Sequence, residues 1–233
     1  PSLVFAKMMD ENKQFEGCKI NYEIASGIDG LLGKINELDL AVMPTNIAAK
    51  LYNSGKKIKL LSVNVHGVLY MAGKKEITDL NELKGKIVYN IGQSGTPDLT
   101  FRYILDKAGI GYELSDNAVT DKVALRYEQA GSTVVQKLLA NMIDYAIIGE
   151  PVVTQAITKS LTDDDTENNL TIALDIQEEW NKATGQQGDF NYPQASLIAK
   201  ESLINSNPEL IEKILTELKG TSAWLSKYPD KAK

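Results

Sequence analysis

Three residue types are nearly missing from this chain of 233 residues: it has one cysteine and one histidine, and its only arginines are Arg102 and Arg126. A lone Cys18 excludes an internal disulfide framework and any Cys-rich zinc or iron–sulfur site. A lone His66 excludes a His-cluster metal centre and leaves a catalytic base without a recognisable paired nucleophile. No apolar run approaches the roughly 20 residues that cross a bilayer, and no signal-peptide pattern is visible. Basic charge is short too. The 25 Lys+Arg stand against 31 Asp+Glu, a net charge of −6, which counts against nucleic acid as the main partner because phosphate binding needs a basic surface. The acidic run Asp163-Asp164-Asp165 lacks the spacing and the glycine of a calcium loop and reads as a solvated turn. No metal or cofactor is expected.

What is present is an ordinary globular composition, 43% apolar and 24% charged, long enough to bury a core without staples. The length suits one large domain or two small ones. A chain that opens at Pro1 and not Met reads as processed or trimmed, so a targeting segment would lie before this numbering. Scarce cysteine fits export and cytosol alike.

Hydrophobic periodicity alternates between strands and helices. Helices are expected from Leu3 to Met8, over Gly30–Glu37, from Pro44 to Asn53, over Asp98–Ala108, Ser132–Asn141, Pro151–Ser160 and 176–184, and within Pro208–Tyr228. A short helical turn is expected at Leu80–Lys84. Strands are expected at Lys19–Ala25, Leu38–Met43, Lys59–Val65, Val68–Ala72, Lys86–Ile91, Val123–Tyr127 (half-exposed), Ile143–Ile148 and Ala195–Ala199. This order implies an α/β fold with a mostly parallel sheet. The segment Leu38–Asn46 matches Ile143–Pro151, each between two short helices. Helix–strand–helix therefore occurs twice, which suggests two lobes with separate sheets.

In open parallel sheets, ligands sit beyond the carboxyl ends of strands. Those ends carry Pro44-Thr45-Asn46, His66-Gly67, the turn Gly92-Gln93-Ser94-Gly95-Thr96-Pro97, and Glu150-Pro151. Their hydroxyls, amides and helix-start N–H groups suit a polar or anionic small molecule. Thr45, Asn46 and Thr96 equally suit helix caps, and Glu150 is balanced between ligand acceptor and cap of the following helix. The glycine turn is neither a Walker loop nor a dinucleotide fingerprint. His66 reads as a ligand contact or structural residue, and Cys18 as a small, partly buried apolar one.

Five of these segments, Ala41–Ala49, Gly67–Tyr70, Gly92–Pro97, Ile143–Pro151 and Tyr192–Ala195, resemble in order and spacing the substrate-binding proteins of bacterial ABC importers. The similar branch is the nitrate/sulfonate/taurine and thiamine-precursor-like group. The resemblance implies a two-lobed periplasmic-binding-protein type II fold with a ligand cleft between the lobes. Mapped here, lobe one is 1–75 plus 190–233 and lobe two is 76–189. A family strand before the first helix is missing, and the sequence resembles one trimmed at both ends. The resemblance implies ligand contacts from Ser2, Thr45, Asn46, Asn64, His66, Gly67, Gln93, Ser94, Gly95, Thr96, Ser132, Glu150, Tyr192 and Gln194. Two ligands suit these residues equally: a small anion held by hydroxyls and helix amides, or a neutral heterocycle stacked on Tyr192 or Tyr70. The resemblance also implies a non-enzymatic monomer that captures its solute by lobe closure and hands it to a membrane permease. The setting would be extracytoplasmic: a lipoprotein on the cell membrane in a Gram-positive, or free in the periplasm. Enzymes of thiamine-precursor or menaquinone synthesis and receptor sensor domains share the fold and are the alternatives. The former's Cys-rich motif and histidines are not present here.

Overall fold

The computed structural model describes residues 2–15, 17–25, 27–162, 169–187 and 191–232. Pro1 and the acidic triplet at 163–165 lie outside them. In chain order, a 3-10 turn (Ser2–Phe5) leads to α1 (Ala6–Asp10), α2 (Ile28–Lys34), β1 (Leu40–Pro44), α3 (Thr45–Asn53), β2 (Ile58–His66) and β3 (Leu69–Gly73). After a second 3-10 turn (Leu80–Leu83) come β4 (Ile87–Ile91), α4 (Thr96–Lys107), β5 (Tyr112–Leu114), β6 (Val123–Glu128), α5 (Gly131–Leu139), β7 (Tyr145–Gly149) and α6 (Val152–Ser160). The chain continues through β8 (Thr171–Asp175), α7 (Ile176–Thr184), β9 (Pro193–Lys200), α8 (Glu201–Ser206), α9 (Pro208–Lys219) and α10 (Thr221–Lys227). It divides into two compact units, residues 1–65 with 193–233, and residues 66–192.

The first unit carries, among the described residues, a sheet of order β1-β9-β2. β1 runs antiparallel to β9, with Met43 opposite Ser196 and Pro44 opposite Ala195. Alternate residues of these strands serve two cores. Ala41, Met43 and Ile198 pack with Ala48 of α3 and Leu31 of α2. Val42 and Leu197 pack with Met8, Ile214 and Leu218. Burial on both faces is why the strands read as unbroken apolar runs.

The second unit carries a sheet of order β5-β6-β4-β7-β3-β8. β4 lies parallel to both β6 and β7, and β5 parallel to β6. β3 is antiparallel to β7 and β8, so the sheet is mixed and not mostly parallel throughout. One face packs Val88, Leu125 and Ile147 against Phe101, Ile104 and Leu105 of α4 and Ile176 of α7. The other packs Ala146 and Ile148 against Val134 and Leu138 of α5 and Val153 and Ala156 of α6.

The matching segments do occupy separate sheets: α2–β1–α3 in the first unit and α5–β7–α6 in the second. Other expectations need correction. Residues 19–25 form no strand, and Ile24 is 73% exposed, because a period-two pattern needs a neighbouring strand to become a ladder. β6 is not half-exposed: Val123, Ala124 and Leu125 are all buried, since two strands flank it and helices cover it. The final helical stretch breaks at Gly220 into α9 and α10. β5, β8 and α8 had no sequence expectation; two are short, and Ile172 in β8 stays 40% exposed, leaving little periodic signal.

The end of β3 depends on a close approach. A Cβ on Gly73 would lie 2.6 Å from Tyr145 Cδ1 and 2.9 Å from the Asp144 carbonyl oxygen. Gly73→Ala should therefore cost about 1–3 kcal/mol in urea unfolding, as overpacking does, while Gly33→Ala, in α2 with open space around it, should not destabilise.

Candidate functional site

In the second unit, the crossovers from β4 part in opposite senses. The chain leaves β4 through α4 to reach β5 and β6 on one side, then returns through α5 to β7 on the other. The carboxyl end of β4 is therefore the topological switch point, where open α/β sheets leave a crevice. The register brings the other loops to this edge. Ile91 lies opposite Glu128, which leads to Gly131 and Ser132. Gly149, next to Glu150, lies opposite Leu69, next to His66-Gly67. Tyr70 lies opposite Asp175, at the start of α7. One sheet edge thus collects His66-Gly67, the 92–96 turn, Ser132 and Glu150, four of the places that the sequence singled out.

The turn is shaped from behind by Asp98, a fully buried carboxylate in the first turn of α4. Its Oδ2 accepts the Ser94 N–H at 2.7 Å. Its Oδ1 accepts Arg102 Nε at 2.7 Å and the Tyr127 hydroxyl at 2.6 Å. Arg102 also donates to the Tyr127 oxygen at 2.8 Å. Ser94 takes the left-handed backbone at φ +62°, and the Gly95 N–H returns to the Gly92 carbonyl at 3.0 Å. Burial and the bond to Asp98 push the Tyr127 phenol up to about 12. Sequence reasoning missed this network, although Asp98 and Arg102 stand four residues apart on one helix face.

A second strained point lies where β2 passes to β3. Gly67 (φ +69°) and Val68 (φ +83°) are both left-handed, an outlier for a β-branched residue. The surrounding structure over-determines it. The Gly67 N–H donates to the Tyr192 carbonyl at 3.1 Å, and the Val68 carbonyl accepts the Glu150 N–H at 2.9 Å. The Leu69 N–H reaches Gln177 Oε1 at 2.8 Å and the Tyr192 hydroxyl at 3.1 Å, and that hydroxyl donates to Gln177 Oε1 at 2.8 Å. Gln177 lies so near that a Cβ on Gly67 would sit 2.7 Å from its Cγ.

Tyr192 is consequently a correction. It is 2% exposed, its ring lies edge-on to Trp180 at 5.5 Å between centroids, and burial pushes its phenol up. It supplies no stacking face and instead positions the 67–69 kink. The capping expectations also change. The positions preceding α3 and α4 are Pro44 and Gly95, neither making a side-chain cap, so Thr45 and Thr96 begin their helices without capping them. Glu150 does not cap α6; its Oε1 accepts the Thr154 hydroxyl at 2.7 Å. Gln93 and Ser132 are both exposed.

In the first unit, Thr45 starts α3 at the carboxyl end of β1. Its hydroxyl pairs at 2.7 Å with that of Ser196, which is fully buried in β9. Asn46 follows it on α3. Gln194, two residues before Ser196, keeps a buried Oε1 without a hydrogen bond. Asn64 Oδ1, in β2, accepts the Ser62 hydroxyl at 3.3 Å. The side chain of Ser2 lies outside the described residues. Both arginines are engaged, Arg102 as above and Arg126 with Asp116 at 2.5 Å. Among the described residues no group of three or more His, Cys, Asp or Glu is arranged to hold a metal, and no helix is long and apolar enough to cross a membrane.

Comparison with known proteins adds the following. The family model described as NMT1/THI5 like matches residues 37–232. A search of curated proteins finds no match. Among solved structures, an ABC transporter protein from Parabacteroides distasonis superposes with a TM-score of 0.72 at 23% identity, covering 100% of this chain and 72% of that one. The periplasmic aliphatic sulphonate binding protein SsuA from Escherichia coli gives a TM-score of 0.69 at 11% identity, covering 99% and 72%. The zinc-bound ligand-binding component of an ABC-type import system from Staphylococcus aureus gives 0.66 at 11%, covering 98% and 72%. The α/β fold of this chain is that of periplasmic binding proteins.

The Tyr127 shift carries a pH consequence. Its folded value lies above the ordinary phenol value of 10.0, so the stability it contributes is present below about pH 10 and lost as pH rises toward 12. Unfolding free energy measured by urea should fall across pH 10–12, and the fall should be shallower in Tyr127→Phe.

Proposed function

The chain belongs to the NMT1/THI5-like family, and from that premise we propose that it is the solute-binding component of an ABC-type importer, binding a small polar molecule without chemical change. The observation that carries this is the gathering of four sequence-flagged places at the switch-point edge of the second unit's sheet. Hydroxyl, amide and carboxylate groups there offer hydrogen bonds in a strained, pre-formed frame, as a recognition site requires. The ligand contacts belong to this proposal: Gln93, Ser94, Gly95, Thr96, Ser132 and Glu150, with His66 and Gly67, on the second unit, and Thr45, Asn46, Asn64 and Gln194 on the first. So do a monomeric state, capture by closure biased by the ligand's differential affinity, delivery to a membrane permease, and an extracytoplasmic setting, lipid-anchored or periplasmic.

The NMT1/THI5-like family includes biosynthetic members. We place this chain with the binding proteins because it holds one imidazole, His66, and one thiol, Cys18, too few for the Cys-rich motif and histidines of the enzymes it resembles.

Thermal unfolding tests the proposal. A cognate solute at 100 times its dissociation constant should stabilise the protein by about 2.7 kcal/mol. The double variant Ser132→Ala, Glu150→Gln should keep the unliganded melting temperature and lose most of that stabilisation. Full retention of the ligand effect would place the binding site elsewhere.

A further inference from the structure

Charge is unevenly placed along the chain. Between Leu40 and Val65 lie Lys50, Lys56, Lys57 and Lys59 and no Asp or Glu. That run carries +4 in a chain of −6, which leaves −10 for the remainder. The fold gathers these lysines in the first unit. Lys50 lies in α3, Lys56 and Lys57 in the turn after it, and Lys59 in β2. The Lys200 N–H donates to the Asp39 carbonyl at 3.0 Å and the Glu201 N–H to the Lys57 carbonyl at 2.9 Å, so the starts of β1 and β2 meet the end of β9. This edge is the opposite one from Thr45, which begins α3 at the carboxyl end of β1.

All four lysines are exposed. Beside them stand two large side chains that the core does not take, Tyr52 at 55% exposure and Leu60 at 51%. Lys59 Nζ lies 5.7 Å from the centre of the Tyr52 ring, which joins the end of α3 to β2 in one patch. Strand alternation puts Leu60 on the face of β2 that Ile58 shares with α3. Carboxylates at this edge are few. Glu201 pairs with Lys59 at 3.2 Å, Asp39 with Lys200 at 3.3 Å, and Glu37 is exposed. Lys56 donates to the neutral Asn36 Oδ1 at 2.8 Å. Among the described residues Lys50, Lys56 and Lys57 are in no ion pair, so the patch stays cationic.

This chemistry selects the occupant. Lysine is depleted at the core of protein–protein interfaces, and a two-fold contact with a second copy would set these lysines against themselves. An anionic bilayer meets lysine with phosphate headgroups and takes tyrosine and leucine at its interface. The same surface repels the negative remainder of the chain, which turns the patch toward it. We propose that this edge of the first unit docks on an anionic lipid bilayer, with Lys50, Lys56 and Lys57 at the headgroup phosphates and Tyr52 and Leu60 in the interface. Docking leaves the Thr45 end of α3 uncovered and needs no bound solute, so it stands or falls apart from the solute-binding reading.

Co-sedimentation of the whole chain with lipid vesicles tests this. Vesicles of phosphatidylcholine with about one-third phosphatidylglycerol should bind the wild type at low ionic strength, and phosphatidylcholine alone should not. Binding should weaken as salt is raised, because the contact is exposed to screening. The double variant Lys56→Gln, Lys57→Gln should bind the anionic vesicles about tenfold more weakly or worse. The control Lys84→Gln, Lys86→Gln removes the same charge from exposed positions of the second unit and should stay within about twofold of wild type. All these side chains are exposed, so both variants should melt with the wild type. Leu60→Ser should weaken binding at a salt concentration where the wild type still binds. No binding to anionic vesicles, equal binding to phosphatidylcholine alone, or equal loss in the two double variants would overturn the proposal. So would self-association of the wild type that Lys56→Gln, Lys57→Gln abolishes, which would make a second copy the occupant.

Discussion

The site depends on one buried charge. An ionised carboxylate without partners would cost many kcal/mol to bury, so Asp98 at 0% exposure obliges its surroundings to supply donors. They come from three directions: the glycine turn through Ser94, its own helix through Arg102, and strand β6 through Tyr127. Each of these is thereby fixed relative to the others. The turn must stay near the helix start, α4 must seat against β6, and Ser94 must hold a left-handed backbone that serine rarely takes. Breaking one bond would leave the charge under-solvated, which is why buried charged networks give way as a unit.

The kink at Gly67-Val68 is built by the same logic with neutral groups. Tyr192 donates to Gln177 and accepts from Leu69, while the backbone around the kink bonds to Tyr192 and Glu150. Both devices hold a loop at the carboxyl edge of a sheet whose interior is plain apolar packing. Among the described residues, Val68 and Ser94 are the non-glycine residues with a left-handed backbone that are neither Asn nor Asp, and both lie at this edge, above a core that stabilises the fold.

How much of this was legible in the sequence follows from the range of each interaction. Helices with a clear apolar stripe were readable, and α9 begins at Pro208 and buries Ile211, Ile214 and Leu218 as its stripe predicts, because local pattern alone decides such a helix. The matching segments Leu38–Asn46 and Ile143–Pro151 were readable as two helix–strand–helix units because both faces of β1 and β7 are covered. Residues 19–25 show the opposite case: the alternation is there, but a ladder needs a partner that one strand's sequence cannot specify. The candidate site was legible as loops and not as contacts. Glycine turns and hydroxyls announce a strand end, whereas the pairing of Asp98 with Tyr127, 29 positions apart, exists only after β4 and β6 are in register. Tyr192 was misread for the same reason. The resemblance alone marked it as a contact, and its bond to Gln177 and its packing on Trp180 exist only in the folded chain.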